Sequence, residues 1–189
     1  KIASEILWST DVGVCSVIGF PHGNSTTDIK IQETLQVIFY GATEVDMVVN
    51  IGKVLQGDWE YVEKEIFEIN KACVQNDAIL KVIFETDFLP DNKTKIKLCQ
   101  ICNRVNVAFV KTSTGYGFKK NEAGAYSYDG ATDNDLILMR KHCSSGIQIK
   151  AAGGIRSFDD IMRVRKLGVT RVGATATAQI MKEAWKILG

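Results

Sequence analysis

Gly41-Ala-Thr-Glu-Val-Asp46 is the first of three similar stretches that decide the fold class of this chain. Asn106-Val-Ala-Phe-Val-Lys111 and Gly168-Val-Thr-Arg-Val-Gly173 repeat its pattern, in which a turn leads from an amphipathic stretch into an apolar run. Each copy is typical of the turn that joins a helix to a buried strand. A repeated strand–helix unit explains the recurrence and predicts parallel strands linked by helices.

The rest of the chain agrees with this repeat. Six β-branched runs are predicted to be strands: Gly13–Gly19, Glu44–Asn50, Ile79–Glu85, Val107–Thr112, Ile147–Ala151 and Thr170–Ala174. Apolar residues between these runs have near-helical spacing: Ile31/Leu35/Ile38, Val62/Ile66/Ile69, Leu98/Ile101/Val105, Leu136/Met139/Cys143 and Ile161/Val164/Leu167. Asp58, Thr132 and Ser157 lie where helix N-caps are expected. Gly41 and Gly168 lie just after predicted helix ends, a position that glycine favours.

The strand ends distinguish a closed barrel from an open doubly wound sheet. Polar residues gather at the predicted carboxyl ends of the strands, where a (βα)8 barrel builds its active site: Asp46, Asn50, Glu85, Lys111, Lys150 and Thr175. No Gly-x-Gly-x-x-Gly loop, which would favour the open sheet, follows any strand. We therefore predict an α/β fold of the TIM (βα)8 class, with six units in one barrel domain over residues 1–189. We expect the natural polypeptide to be longer, because such barrels need about 250 residues.

Composition narrows the class of protein. Lys and Arg number 23 against 22 Asp and Glu, and no block of like charge indicates a nucleic-acid or anionic membrane surface. No apolar run reaches the roughly 18–20 residues that span a bilayer, and the first residues do not resemble a signal peptide. The five cysteines are scattered along the chain. Cys99-Gln-Ile-Cys102 lies in a stretch whose apolar residues have helical spacing, which predicts ordinary helix packing rather than a redox or zinc site. We expect a cytoplasmic protein with reduced thiols that binds neither nucleic acid nor membrane.

Two strand-end lysines give the strongest chemical signal. Lys111 lies in Phe109-Val-Lys-Thr-Ser-Thr-Gly115, and Lys150 ends the next strand, so both ammonium groups should meet at one barrel mouth. A strand-end lysine often only extends to solvent, but like charges lower the pKa of at least one amine, and a neutral amine can attack a carbonyl. Asp46 offers a carboxylate for proton transfer, or alternatively a salt bridge that orients the lysines. These residues predict a Schiff-base enzyme.

A second group of residues predicts a phosphate site. Gly153 and Gly154 precede Ile155 and Arg156, and Ser157 opens a helix, so backbone amides, an arginine and a helix N-terminus should converge there. Gly173-Ala-Thr-Ala-Thr177 follows the last strand and adds amides and hydroxyls, as in barrels that bind phosphate with their last two loops.

The sequence resembles the deoxyribose-phosphate aldolase family from about residue 14 to residue 180. Five segments carry the resemblance: Val14-Cys-Ser-Val-Ile-Gly-Phe-Pro-His-Gly23, Gly41-Ala-Thr-Glu-Val-Asp-Met-Val-Val-Asn50, Leu80-Lys-Val-Ile-Phe-Glu-Thr86, Phe109-Val-Lys-Thr-Ser-Thr-Gly115 and Lys150-Ala-Ala-Gly-Gly-Ile-Arg156. The resemblance implies reversible cleavage of a small phosphorylated sugar, 2-deoxy-D-ribose 5-phosphate, into glyceraldehyde 3-phosphate and acetaldehyde, as part of deoxyribonucleotide catabolism. It implies no metal or organic cofactor, and a homodimer is one assembly open to the chain.

The resemblance also implies roles for particular residues. Carried over by position, Lys111 would form the Schiff base, Lys150 would tune it and Asp46 would assist proton transfer. The phosphate would be held by a set of loop residues: Gly115, Gly153, Gly154, Gly173 and Thr175, with Ile155 and Arg156 alongside. The chain departs from the family at three places. Tyr116 replaces the lysine of some members, and Thr175 replaces the serine of many. Two βα units that family members have at the N-terminus do not occur in this sequence.

Two other interpretations remain open on the sequence. The first is another Schiff-base barrel enzyme, transaldolase-like or acting on keto acids, which would share Lys111 but accept a longer donor. The second is a non-catalytic protein that binds a sugar phosphate. Lys111 and Lys150 together disfavour the second interpretation, because binding alone needs no neutral amine.

Overall fold

The computed structural model describes residues 1–89, 91–120 and 123–189. Its strands are β1 (Cys15–Ile18), β2 (Glu44–Val48), β3 (Ile79–Ile83), β4 (Phe109–Lys111), β5 (Lys119–Lys120), β6 (Tyr126–Ser127), β7 (Gln148–Ala152) and β8 (Arg171–Gly173). Six of them form one parallel sheet in the order β1-β2-β3-β4-β7-β8, and β5 and β6 pair as a short antiparallel ribbon. All six predicted strands are confirmed, with ends that shift by at most two residues.

Helices connect the successive strands of the sheet, with one further helix before the first strand and one after the last. They are α1 (Ile2–Leu7), α2 (Thr27–Phe39), α3 (Ile51–Gln56), α4 (Trp59–Val74), α5 (Asn92–Val105), α6 (Asp133–His142), α7 (Phe158–Lys166) and α8 (Thr177–Leu188), with a 3-10 turn at Thr86–Phe88. The predicted N-caps Asp58, Thr132 and Ser157 each accept a hydrogen bond from the first turn of their helix. The sequence did not predict α1, α3, α8, the 3-10 turn or the short strands β5 and β6.

The described residues form six units of a (βα)8 barrel. Every neighbouring pair in the six-stranded sheet is parallel, and the order in space follows the order in the chain. β1 and β8 are the edges of this sheet. Parallel strands with helical crossovers place the carboxyl ends of all strands on one face, where barrel enzymes carry their sites.

The core lies between the sheet and the surrounding helices. The predicted apolar stripe of α4, Val62/Ile66/Ile69, is fully buried and packs in the same cluster as Leu80 and Val82 of β3. Cys99 and Cys102 are likewise buried on α5, as their helical spacing predicted. Within the described ranges, the model contains no helix long and apolar enough to cross a lipid bilayer.

The predicted core face of α2 is confirmed at Ile31 and Ile38, which are partly buried and pack against the core, but not at Leu35. Leu35 is 44% exposed, whereas Lys30 and Thr34 are the buried residues of this helix. The physical reason is a fully buried ion pair, in which Lys30 Nζ lies 2.8 Å from Glu65 Oε1 of α4 and donates to the Val48 carbonyl at 2.8 Å. The second carboxylate oxygen of Glu65, Oε2, accepts a hydrogen bond from the backbone amide of Asn50 at 3.0 Å. This pair ties the end of β2 to two helices.

Candidate active site

Asp46 joins the two predicted lysines at the centre of the sheet. Its Oδ2 atom lies 2.8 Å from Nζ of Lys111 and 2.8 Å from Nζ of Lys150. Lys111 ends β4 and is the register partner of Lys150 in β7, so the two side chains project to the same face of the sheet. The carboxylate is 1% exposed. The structure thus brings together the three residues for which the sequence predicted catalysis.

A third cation, Lys81, was missed by the sequence interpretation. Lys81 is the register partner of Asp46 on β3, is fully buried, and places Nζ 3.0 Å from Asp46 Oδ1. Glu44 Oε2 forms an ion pair with Lys81 Nζ at 2.8 Å. The same oxygen pairs with Arg171 Nη1 of β8 at 2.7 Å. The Cys15 thiol donates to the same Asp46 oxygen at 3.1 Å. One lysine in the otherwise apolar run Leu80–Phe84 was the signal that could have revealed it.

Burial and charge act on the ionisable groups of this cluster in opposite directions. Burial lowers the pKa of Lys111, and the charge of Lys150 lowers it further, while the attraction of Asp46 works against both, with a net decrease. Burial alone would raise the pKa of Asp46, but the ammonium groups of Lys111, Lys150 and Lys81 hold it well below its usual range. Asp46 is therefore an anion, and Lys111 loses its proton more easily than a free lysine does.

A cavity of about 290 Å³ opens above the lysines at the carboxyl ends of the strands. Nine predicted site residues line it: Lys111, Gly115, Lys150, Gly153, Gly154, Ile155, Arg156, Gly173 and Thr175. Thr114, Tyr116 and Tyr128 line the same cavity and were not predicted as site residues. The tenth predicted residue, Asp46, contacts both lysines through its carboxylate. Whether these residues bind substrate stays a prediction.

One part of the predicted phosphate site is wrong. The helix that opens at Ser157 has its own capping box, in which the Asp160 carboxylate accepts from the amides of Arg156 and Ser157 at 3.0 and 3.1 Å. The next amide, Phe158, donates to Glu183 at 2.9 Å. These carboxylates already occupy the donors that an anion would need. The first turn of α8, two residues after Thr175, has no side-chain cap.

Two other polar residues at the predicted strand ends contact the backbone. Asn50 is the N-cap of α3, where its side chain accepts from the Lys53 amide at 3.1 Å. Glu85 follows β3 and accepts from the Thr114 amide at 3.1 Å. Both side chains therefore shape the carboxyl ends of the strands.

Among the described residues, four larger cavities lie elsewhere and do not contain the lysine pair. One of about 770 Å³ lies between α1, the end of α2 and the segment before β1, at the amino ends of the strands. Another of about 580 Å³ is lined by residues of α5, α6 and the 3-10 turn. The smaller cavity is the better candidate because chemistry depends on positioned reactive groups rather than on volume. Within the described ranges, no three His, Cys, Asp or Glu side chains are arranged to hold a metal ion.

Parallel βα units with a lysine pair at their carboxyl ends define the class of aldolase-type barrel proteins. Within that class, the chain belongs to the DeoC/LacD family of aldolases, whose family model matches residues 9–179.

Individual relatives agree with this family. The chain is 46% identical over 189 residues to the deoxyribose-phosphate aldolase of Rhodopirellula baltica, an alignment that covers 100% of this chain and 74% of that protein. It is 43% identical to the deoxyribose-phosphate aldolase of Caldanaerobacter subterraneus, with 100% and 77% covered. The structure of the deoxyribose phosphate aldolase of Aeropyrum pernix superposes with a TM-score of 0.83 at 29% identity, covering 99% of this chain and 74% of that one.

Proposed function

We propose that the chain, as one aldolase-like domain, catalyses the reversible cleavage of 2-deoxy-D-ribose 5-phosphate into glyceraldehyde 3-phosphate and acetaldehyde. The observation that carries this proposal is the contact of Asp46 Oδ2 with both Lys111 and Lys150, each at 2.8 Å, beneath a glycine-lined cavity. A lysine whose pKa is lowered by burial and by a neighbouring cation is suited to attack a carbonyl. Relatives named deoxyribose-phosphate aldolase support this choice of substrate.

The first half of the reaction joins the substrate to Lys111. Its neutral Nζ forms a bond to C1 of the open-chain sugar, and the carbonyl oxygen takes a proton to become a hydroxyl. Asp46 Oδ2 is hydrogen-bonded to Nζ and can accept the proton that the amine loses and pass it to the carbonyl oxygen. Lys150, hydrogen-bonded to the same Asp46 oxygen, can supply the second proton as the hydroxyl leaves as water, and it regains a proton when the imine is hydrolysed. The product is an iminium ion between Lys111 and C1.

The second half breaks the bond between C2 and C3. The C3 hydroxyl loses its proton, the electrons of the C2–C3 bond move into the iminium, and glyceraldehyde 3-phosphate leaves. The remaining enamine takes a proton at C2, and water then hydrolyses the imine to release acetaldehyde and free Lys111. The proton taken from C3 can be returned at C2 by the Asp46–Lys150 pair, so atoms and charge balance over the cycle.

We expect the phosphate to bind at the end of the cavity that is lined by the glycine loops. Gly153 and Gly154 both have left-handed backbone, with φ of 88° and 80°, which glycine adopts without strain. The backbone of Gly173–Thr175 lines the same cavity and leads into the uncapped first turn of α8. We therefore assign the phosphate to these two loops and Arg156, with α8 in place of α7.

Borohydride reduction in the presence of acetaldehyde tests the assignment directly. The expected result is one ethyl group on the peptide that contains Lys111, found by peptide mass mapping, with Lys111→Met as the blank. Label on Lys150, or on neither lysine, contradicts the proposal. Turnover with a longer keto donor but not with acetaldehyde would favour the transaldolase-like alternative, and phosphate binding without label would favour a non-catalytic binding protein.

A further inference from the structure

Two carboxylates in the segment after β3 lie beside the candidate site and take no part in the proposed chemistry. Glu85 is 1% exposed and Asp87 is 7% exposed. A buried carboxylate is costly unless it is hydrogen-bonded, so the partners of these two side chains indicate what they do. Those partners are mainly backbone amides of two different loops near the cavity, together with the Thr114 hydroxyl and the Lys119 ammonium group, which lies 4.0 Å from Asp87 Oδ1.

Glu85 holds the loop after β4. Its Oε1 atom accepts from the Thr114 amide at 3.1 Å, and its Oε2 atom accepts from the Thr114 hydroxyl. Gly117 packs closely on the other side, since a β-carbon at that position would lie 2.9 Å from Oε1. The loop thus wraps around the carboxylate, and its residues Thr114, Gly115 and Tyr116 form one wall of the cavity.

The backbone of Glu85 is itself strained. Its φ of 55° and ψ of 62° lie in the left-handed region, which costs a non-glycine residue on the order of 1–3 kcal/mol. Such a conformation persists only where the surroundings determine it, and here the fixed point is the carboxylate bound to Thr114. The strain therefore serves to aim the side chain at the loop.

Asp87 holds the segment that supports the part of the cavity wall containing Gly153. Its two oxygens accept from the amides of Asp129 and Gly130, at 2.6 and 3.1 Å. Gly130 in turn packs against Gly153 so closely that a β-carbon would lie 2.7 Å from the Gly153 carbonyl oxygen, and the next amide, Ala131, donates to that oxygen at 3.1 Å. The position of Gly153 is thus fixed through the segment that Asp87 holds.

We propose that Glu85 and Asp87 are positioning residues that set the separation of the two cavity walls and thereby its fit to a phosphorylated sugar. The inference rests on the proposed function and deepens it. Loss of either carboxylate lets one wall move while Lys111 stays in place, because Lys111 is held by Asp46 and by its strand. Binding of the phosphorylated ligand should weaken, whereas imine formation with acetaldehyde, which reaches only the lysine, should be kept.

The test compares Glu85→Ala and Asp87→Ala with their conservative variants. Each alanine variant should raise both the KM for 2-deoxy-D-ribose 5-phosphate and the Kd for inorganic phosphate by about tenfold, with borohydride labelling by acetaldehyde within about twofold of the parent. Glu85→Gln should behave like the parent, because its amide can accept from the Thr114 amide and donate to the Thr114 hydroxyl. Asp87→Asn should be intermediate, because only one of its two end atoms accepts.

Asp91→Ala is the matched control, because Asp91 is a carboxylate six residues after Glu85 that caps α5 through the Thr94 amide and lies outside the cavity. It should leave both constants unchanged. The inference would be overturned if labelling and binding fell equally and in proportion to the loss of thermal stability. It would also be overturned if no variant changed the Kd for phosphate. Absence of turnover and labelling in the parent would refute the proposed function alone, because the phosphate Kd values would still report on the two walls.

Discussion

Asp46→Asn should separate imine formation from turnover. The substitution keeps the size of the side chain and one acceptor oxygen but removes the only anion that contacts Lys111 and Lys150 among the ion pairs of the described residues. Lys81 keeps Glu44 at 2.8 Å. Two mostly buried ammonium groups thus lose their counter-ion, which costs about 3–5 kcal/mol of folding free energy if both stay charged.

The two reaction steps should respond in opposite ways. Turnover should fall by about 10²–10⁴-fold, the usual contribution of a group that transfers protons. The pKa of Lys111 should fall further, because the attraction of Asp46 is what raises it, while burial and Lys150 continue to lower it. A lower pKa leaves more neutral amine at a given pH. Labelling at equilibrium should therefore persist and extend to lower pH, although it should form more slowly without the Asp46 proton acceptor, and loss of the proton also relieves the stability cost.

The assay measures borohydride labelling with acetaldehyde over a pH series, next to retro-aldol turnover on the phosphorylated sugar. Urea unfolding of the same variant shows whether it is folded under assay conditions. Turnover within a few-fold of the parent would refute the role of Asp46 in proton transfer and leave it as an ion-pair residue. Labelling that moves to higher pH in a folded variant would refute the electrostatic reasoning.

Three further variants test separate parts of the molecule. In Lys150→Met, Lys111 loses a neighbouring cation that lowers its pKa, so labelling of Lys111 should require higher pH; an unchanged pH profile contradicts this. In Gly154→Val, a residue that disfavours φ near 80° replaces glycine, and the ratio of kcat/KM for phosphorylated over unphosphorylated sugar should fall by about an order of magnitude; an unchanged ratio would place the phosphate elsewhere. Lys30→Met should lower the free energy of unfolding in urea by about 3–5 kcal/mol, because Glu65 is left as an uncompensated buried charge, and adding Glu65→Leu should recover part of the loss.

The strands and the lysine pair could be predicted because their signals are local. Each buried parallel strand is a short apolar run, and Lys111 and Lys150 stand out at the ends of such runs. Lys81 could not be assigned in the same way, because its partners Glu44 and Asp46 become adjacent only when β2 and β3 pair. A charged residue inside an apolar run indicates a buried ion pair without naming the partner.

The errors have similar physical causes. The apolar pattern of α2 predicted a buried Leu35, whereas Lys30 is the buried residue because it pairs with Glu65, a residue 35 positions away. The helix after Gly154 was predicted to present free amides, although Ser157 and Asp160 have the three-residue spacing of a capping box, which was visible in the sequence. The hydrogen bond of the Phe158 amide could not be predicted from the sequence, because its acceptor, Glu183, lies on α8, a later helix in the chain.

The direct pairing of Lys111 with Lys150 across neighbouring strands limits how this protein can diverge. A single-residue insertion inside β4 or β7 would turn the following side chains to the opposite face of the sheet, and so would remove one amine from the cavity in one step. The connection between those strands contains the β5–β6 ribbon and α6, and its length can change without altering the ladder. Changes in substrate range are therefore accessible through loop variation, while the spacing within the strands is under far stricter constraint.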